Sequence, residues 1–450
     1  MKWLMPGWWR WRTSLQEIQV EQAAVLAQLY DEFQQDKTRF LVAFRHPSPD
    51  DPYCLAQLFW EAVPQAAQRQ GLSLSPVHAY FIYDRGIPLW AGRWLGWLYS
   101  RLGGISIQRG KLDLEALKVA RSHFANGQFP LVAAPEGGNN GHSEIVSPLE
   151  PGVAQLGFWC ADDLKKADRS AAVKIVPVGI QYQYLGEPWE AVEQLLAQLE
   201  KSCGLQPEPA ASRYERLYGL ATHLLSLMED YYRRFFQGTL SSSSSPRLST
   251  PGTRPDSQTP DGQTPDGQTP DTPDPNTQLA QRLDTLMNTA LTVAETYFDL
   301  AAKGSVIDRC RRLEQAGWDR IFRDDIRDRT TLSAVELSLA DRVAAEADLH
   351  LWHMRLVESF VAVTGRYVIE KPTVERFAET LLLLRDMVMR IQNKNPFPRP
   401  SLGPQKAIVT VGQPLSVSDR YGDYKASRRR AVTALTQDLR TALEGLIVSS

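Results

Sequence analysis

Six residues, His46-Pro47-Ser48-Pro49-Asp50-Asp51, follow the apolar run Phe40-Leu41-Val42-Ala43-Phe44, so a histidine and a carboxylate leave the end of an expected buried strand together. Histidine is the side chain suited to take a proton near neutral pH. A carboxylate on its second ring nitrogen fixes the tautomer and raises its basicity. Asp51 stands five positions after His46, and the prolines at 47 and 49 favour a tight turn that folds the carboxylate back onto the ring. Two more polar residues end apolar stretches: Arg109 closes Ile105-Ser106-Ile107-Gln108, and Glu136 follows Leu131-Val132-Ala133-Ala134-Pro135. Ligands of open α/β sheets collect at the carboxyl ends of strands, which would let His46, Arg109 and Glu136 converge on one pocket.

The elements that must hold these residues are read from hydrophobic period and from turn residues. Ile18, Ala23, Leu26, Leu29 and Phe33 predict an amphipathic helix over residues 14 to 36. Short buried strands are expected at 40–44, 77–83, 105–108, 131–134 and 173–180, the last interrupted by Pro177. Helices fall between them, one after Asp51 and one capped by Asp113 with Leu114, Leu117, Ala120 and Phe124 facing inward. Strands alternating with helices argue for an α/β domain.

Composition narrows the function class. The formal net charge of -2 over 450 residues predicts no general attraction to nucleic acid. Four well-separated cysteines, Cys54, Cys160, Cys203 and Cys310, suggest neither a disulfide framework nor a thiolate metal site, and fit a reducing cytosol. Glu346, His350 and His353 share a helical face, but the paired Glu-x-x-His pattern of di-iron bundles is absent, so no metal is expected. No apolar run approaches the ~18 residues that span a bilayer, and the start of the chain lacks the apolar core of a secretory signal. Lys2, Trp3, Trp8, Trp9, Arg10, Trp11 and Arg12 nonetheless suit either the lipid headgroup boundary or a tail packed on its own domain. Trp90, Trp94 and Trp97, flanked by Arg93 and Arg101, form a second aromatic stripe that is either core or a membrane-facing or acyl-lining surface.

Residues 241–278, five serines and then tandem TPDGQ units, have too little apolar surface to fold and are expected to be disordered. The segments around that linker are a Trp-rich start and helix at 1–36, the α/β domain at 37–190 and a helical extension at 191–240. A helical bundle at 279–400 reads as an insertion, and a final strand and helix at 401–450 read as returning to the first sheet, because a lone strand needs partners.

Four segments together resemble the glycerolipid acyltransferase family, whose members include 1-acylglycerol-3-phosphate and glycerol-3-phosphate acyltransferases. The His-x-x-x-x-Asp motif is His46 to Asp51; a Gly before a short strand ending in Arg is Gly104 to Arg109; Pro-Glu-Gly is Pro135-Glu136-Gly137; and the apolar Val-Pro-Val is Val176-Pro177-Val178. A downstream Pro-Gly-x-x-x-Leu element matches Pro151 to Leu156. The resemblance spans residues 40 to about 185. One departure concerns the third motif, which commonly continues Thr-Arg where this chain has Gly138-Asn139.

The resemblance implies an O-acyltransferase of phospholipid metabolism, cytoplasmic and peripheral to the membrane. Its donor would be a fatty acyl thioester, acyl-CoA or acyl carrier protein, and its acceptor a lysolipid or glycerol phosphate, with no further cofactor. His46 would act as general base oriented by Asp51. Arg109 would hold an anionic group, Glu136 with Gly137 and Gly138 would order the acceptor pocket, and Pro177 would line the thioester side. The missing arginine makes a neutral lysolipid or other alcohol the alternative acceptor. The competing class is a membrane-associated scaffold that kept the fold and lost the chemistry.

Overall fold

The computed structural model describes residues 13–87, 92–108, 113–206, 210–236, 274–323, 325–326, 328–358 and 366–448. The chain divides into two compact units, Met1–Ser202 with Lys371–Ser450, and Cys203–Glu370.

The first unit is a mixed α/β layer built on eight strands: β1 (Leu15–Glu21), β2 (Thr38–Phe44), β3 (Tyr80–Asp84), β4 (Gly104–Ile107), β5 (Leu131–Ala133), β6 (Ala172–Tyr184), β7 (Gln405–Val411) and β8 (Leu415–Ser416). Their order is β1-β7-β6-β2-β5-β3-β4, with β8 on β6. All neighbours run parallel except β6 with β7 and β6 with β8. The unbroken apolar run at 40–44 follows from burial on both faces. Successive side chains alternate sides: Leu41 and Ala43 join Leu131, Ala133, Val173 and Ile175 under helices Leu114–Asn126, Gly152–Lys166 and Arg428–Glu444. Phe40 and Val42 join Val132, Val176 and Val178 against helix Ala23–Gln34 and the helical stretch from Asp51 to Arg69.

Four local expectations are corrected. The helix foreseen over 14–36 is a strand, β1, followed by helix Ala23–Gln34, with Gln22 between them in the left-handed region at φ 56°. Ile18 and Val20 alternate as a strand should, and β1 is held by parallel pairing with β7. Pro177 does not interrupt β6, which runs through it. The Pro177 carbonyl accepts the Gly412 N–H at 2.8 Å, so the position of the missing proline N–H faces β7 beyond its last ladder pair, Val178 with Val411. A Cβ on Gly412 would stand 2.8 Å from the proline Cγ, so a glycine is needed there. Leu114, expected to face inward, is exposed at the first turn of its helix, while Ala120 and Phe124 are buried. Helix Val374–Ile391, expected within the inserted bundle, belongs to the first unit, where it packs on β6 and on helix Trp189–Ser202.

The second unit is helical: Arg213–Phe235, Pro275–Phe298, Val306–Ile321 and Ala334–Glu358. Ser212 and Ser305 close capping boxes with Glu215 and Asp308. A buried bidentate pair joins Arg309 to Glu295, Nε to Oε1 at 2.8 Å and Nη2 to Oε2 at 2.7 Å. Helix Pro275–Phe298 begins inside the expected linker, with Pro275 in the first turn, where its missing N–H costs nothing. Linker residues 241–273 and the tryptophans at 3, 8, 9, 11 and 90 lie outside the described residues.

Candidate active site

β2 ends at Phe44, and the next two residues turn in opposite directions. Arg45 is fully buried and spends its guanidinium on backbone carbonyls, with Nη2 3.1 Å from His142 O and further bonds to Ser143 O and Ile145 O. His46 keeps a quarter of its side-chain exposure, its ring edge-on to Phe44 with centroids 5.7 Å apart. The turn through Pro47 and Pro49 starts helix Asp51–Gln57, and Asp51 at its first position is 0% exposed. A carboxylate at a helix N-terminus is favoured by the aligned peptide dipoles.

Asp51 Oδ2 lies 2.7 Å from His46 Nδ1 and accepts the Ser48 N–H at 3.2 Å. An ionised carboxylate can only accept, so with Asp51 ionised the Nδ1 position carries the proton and the Nε2 lone pair is left free to accept one. The other carboxylate oxygen, Oδ1, accepts the Tyr182 hydroxyl at 2.7 Å. Tyr182 comes from β6 and is buried; burial and the Asp51 charge push its phenol well above the usual tyrosine range. Next to this pair, burial and the Asp51 charge raise the Asp50 carboxyl to about 6.

Glu136 closes the site from behind. Its side chain is fully buried; Oε1 accepts the His46 N–H at 2.9 Å and Oε2 accepts the Ser147 N–H at 2.8 Å. Arg45 Nε stands 3.9 Å from Oε1, a charge partner for a carboxylate out of reach of water. Gly137 turns the chain at φ 73°, which favours glycine. Asn140 then donates to Ile145 O at 2.7 Å and Ser147 Oγ at 3.0 Å. Helix Val374–Ile391 secures the same loop: the Ser143 N–H donates to Glu379 at 3.0 Å, and Glu144 pairs with Arg376 at 2.7 Å.

The structure therefore brings together His46, Asp51 and Glu136. Arg109 lies outside the described residues. Gly138 is half-buried and Asn139 exposed on the loop after Glu136. Pro177, foreseen as lining the thioester side, is buried in β6 with Gly412 beside its ring. Arg45, Asn140, Ser147 and Tyr182 were missed from sequence. Only Arg45 carried a local signal, as a cation set directly after an apolar strand. Two histidines of the second unit are engaged within it: Tyr232 Oη lies 2.7 Å from His353 Nδ1, burial lowers His353 to about 4, and His350 stacks on Tyr297 with ring centres 3.6 Å apart.

Residues 18–181 match the model of the Acyltransferase family. This segment is an acyltransferase domain of the glycerolipid acyltransferase family, and it contains the His46 turn, the Glu136 loop and most of the sheet between them. No curated protein and no solved structure matches the chain.

Proposed function

We propose that the chain is an O-acyltransferase that moves a fatty acyl group from a thioester, acyl-CoA or acyl carrier protein, to the hydroxyl of a glycerolipid acceptor such as 1-acylglycerol-3-phosphate. The observation that carries this reading is the 2.7 Å contact of His46 Nδ1 with the buried Asp51 carboxylate, inside the matched domain. In the reaction, His46 Nε2 takes the acceptor hydroxyl proton as the oxygen attacks the thioester carbonyl. The tetrahedral intermediate collapses to the ester, and the departing thiolate takes the proton back from the imidazolium. Asp51 holds the ring and offsets its positive charge during the step. Arg109 grips an anionic acceptor, while Glu136 with Gly137 and Gly138 orders the acceptor loop. No organic cofactor or metal enters this scheme.

Two exposed indoles on helix Arg93–Arg101 support a peripheral place on the membrane: Trp94 is 62% and Trp97 58% exposed, and the Arg101 guanidinium lies 4.1 Å from the Trp97 ring centre. Indole beside cation is the mixture found at the headgroup boundary. Among the described residues no helix is long and apolar enough to cross a bilayer. Asn139, where the family commonly has arginine, favours a second acceptor class, a lysolipid or alcohol without a phosphomonoester.

Purified protein incubated with labelled acyl-CoA or acyl carrier protein and a panel of lysolipids, glycerol phosphate and fatty alcohols tests the proposal and names both substrates. An acyl ester is expected with at least one pair. No ester with any pair would leave a scaffold role in its place.

A further inference from the structure

The Asp51 carboxylate is completely buried, so the protein itself must satisfy both of its oxygens. Oδ2 takes His46 Nδ1 at 2.7 Å and the Ser48 N–H at 3.2 Å. Oδ1 takes the Tyr182 hydroxyl at 2.7 Å. Tyr182 lies one residue beyond the matched stretch, 131 positions from Asp51 in sequence, and is itself only 6% exposed. Its position is fixed twice over. Its backbone is in register with Ala407 of β7, and its N–H donates to Ser143 Oγ at 3.2 Å on the loop that Glu136 and Arg45 brace. The Cys54 thiol touches the same hydroxyl at 3.5 Å from the other side.

We infer that Tyr182 is a positioning residue of the His46–Asp51 pair: its hydroxyl holds the Asp51 carboxylate in the rotation that presents Oδ2 to His46 and tempers how strongly that carboxylate attracts the imidazole proton. The inference rests on the proposed acyl transfer for its purpose, but its physical content does not depend on it. A donor on Oδ1 spreads the carboxylate charge and weakens its pull on a cationic ring. Removing the donor exposes the full charge to His46. The neutral imidazole then loses more than the imidazolium, whose charge already compensates the carboxylate, and the His46 pKa rises. A stronger donor has the opposite effect.

The test is an NMR titration of His46 in the full chain labelled at histidine Cε1, with its signal among the seven histidines assigned by its absence in His46→Ala. Tyr182→Phe keeps the ring and removes the hydroxyl. It should raise the His46 titration midpoint by about half to one pH unit, part of the strength of one hydrogen bond to a charged group. Fluorotyrosine placed at position 182 keeps the bond and makes it a stronger donor, and should lower the midpoint. In the acyl-transfer assay the acid limb of kcat should move with the midpoint, while KM for both substrates changes by less than about twofold. A midpoint that stays put in both variants overturns the positioning role, whatever the assay reads. A midpoint that moves as described in a protein without acyl transfer upholds the role and removes only the proposed reaction.

Discussion

The Glu136 carboxylate accepts the backbone N–H of His46 at 2.9 Å, so the loop after β5 is tied directly to the residue that follows β2. With its second oxygen on Ser147 N at 2.8 Å, Glu136 joins both ends of the loop to the His46 turn. Glu136→Ala leaves two N–H groups and the Arg45 cation without their partner. Stability should fall by about 2–4 kcal/mol, given the cost of orphaned buried donors and of an unpaired charge. Glu136→Gln keeps one acceptor and should lose roughly half as much, which denaturant unfolding of the two variants would show. Equal stability of wild type and Glu136→Ala would contradict the bracing role.

Asp50 gives a pH signature. Its folded-state value of about 6 lies above the ordinary 3.8, so the folded protein binds this proton more tightly than the unfolded chain. The associated stability is present below about pH 4 and is lost as pH rises through 6. Asn cannot ionise. Asp50→Asn should therefore match wild type near pH 4 and exceed it at pH 7.5 by on the order of 2 kcal/mol. Melting curves at the two pH values check this, and a variant no more stable at pH 7.5 would refute it.

These relationships differ in how far sequence reveals them. The turn that folds Asp51 onto His46 is local: two prolines within five residues dictate it, and the apolar run before it marks the strand. The alternation of strands and helices is equally local, and it led to the α/β layer. β1 was hidden because its partner, β7, lies nearly four hundred residues away, as the bond from Ser14 Oγ to Gln405 illustrates. Tyr182 was hidden for the same reason. Nothing in its own neighbourhood says that the register of β6 will aim a phenol at a carboxylate on another element. Pro177 misled because a proline breaks a strand only where its N–H would be used, and here that position lies past the end of the β7 ladder.

The exposed indoles predict a surface-binding phenotype. Trp94→Gln with Trp97→Gln removes apolar area that solvent now touches, so it should leave stability within about 0.5 kcal/mol. Sedimentation with vesicles of mixed neutral and anionic lipid should weaken by roughly tenfold or more, since two interfacial indoles are lost. Unchanged sedimentation would remove helix Arg93–Arg101 from the membrane account.

Arg109→Ala should raise KM for a phosphate-bearing acceptor by roughly tenfold or more, the loss expected for a charge-assisted contact made equally in the ground and transition states. Its kcat should change little. Steady-state kinetics over acceptor concentration decides this, and an unaltered KM would reassign the anion contact.

The central claim is that His46 is the proton acceptor for the attacking hydroxyl. Single-turnover acyl transfer by His46→Ala, set beside wild type at the same pH and with folding confirmed by unfolding curves, tests it most directly. The account predicts a rate lower by on the order of 10²–10⁴-fold in a protein of normal stability. A folded His46→Ala variant that transfers acyl groups at the wild-type rate would contradict it.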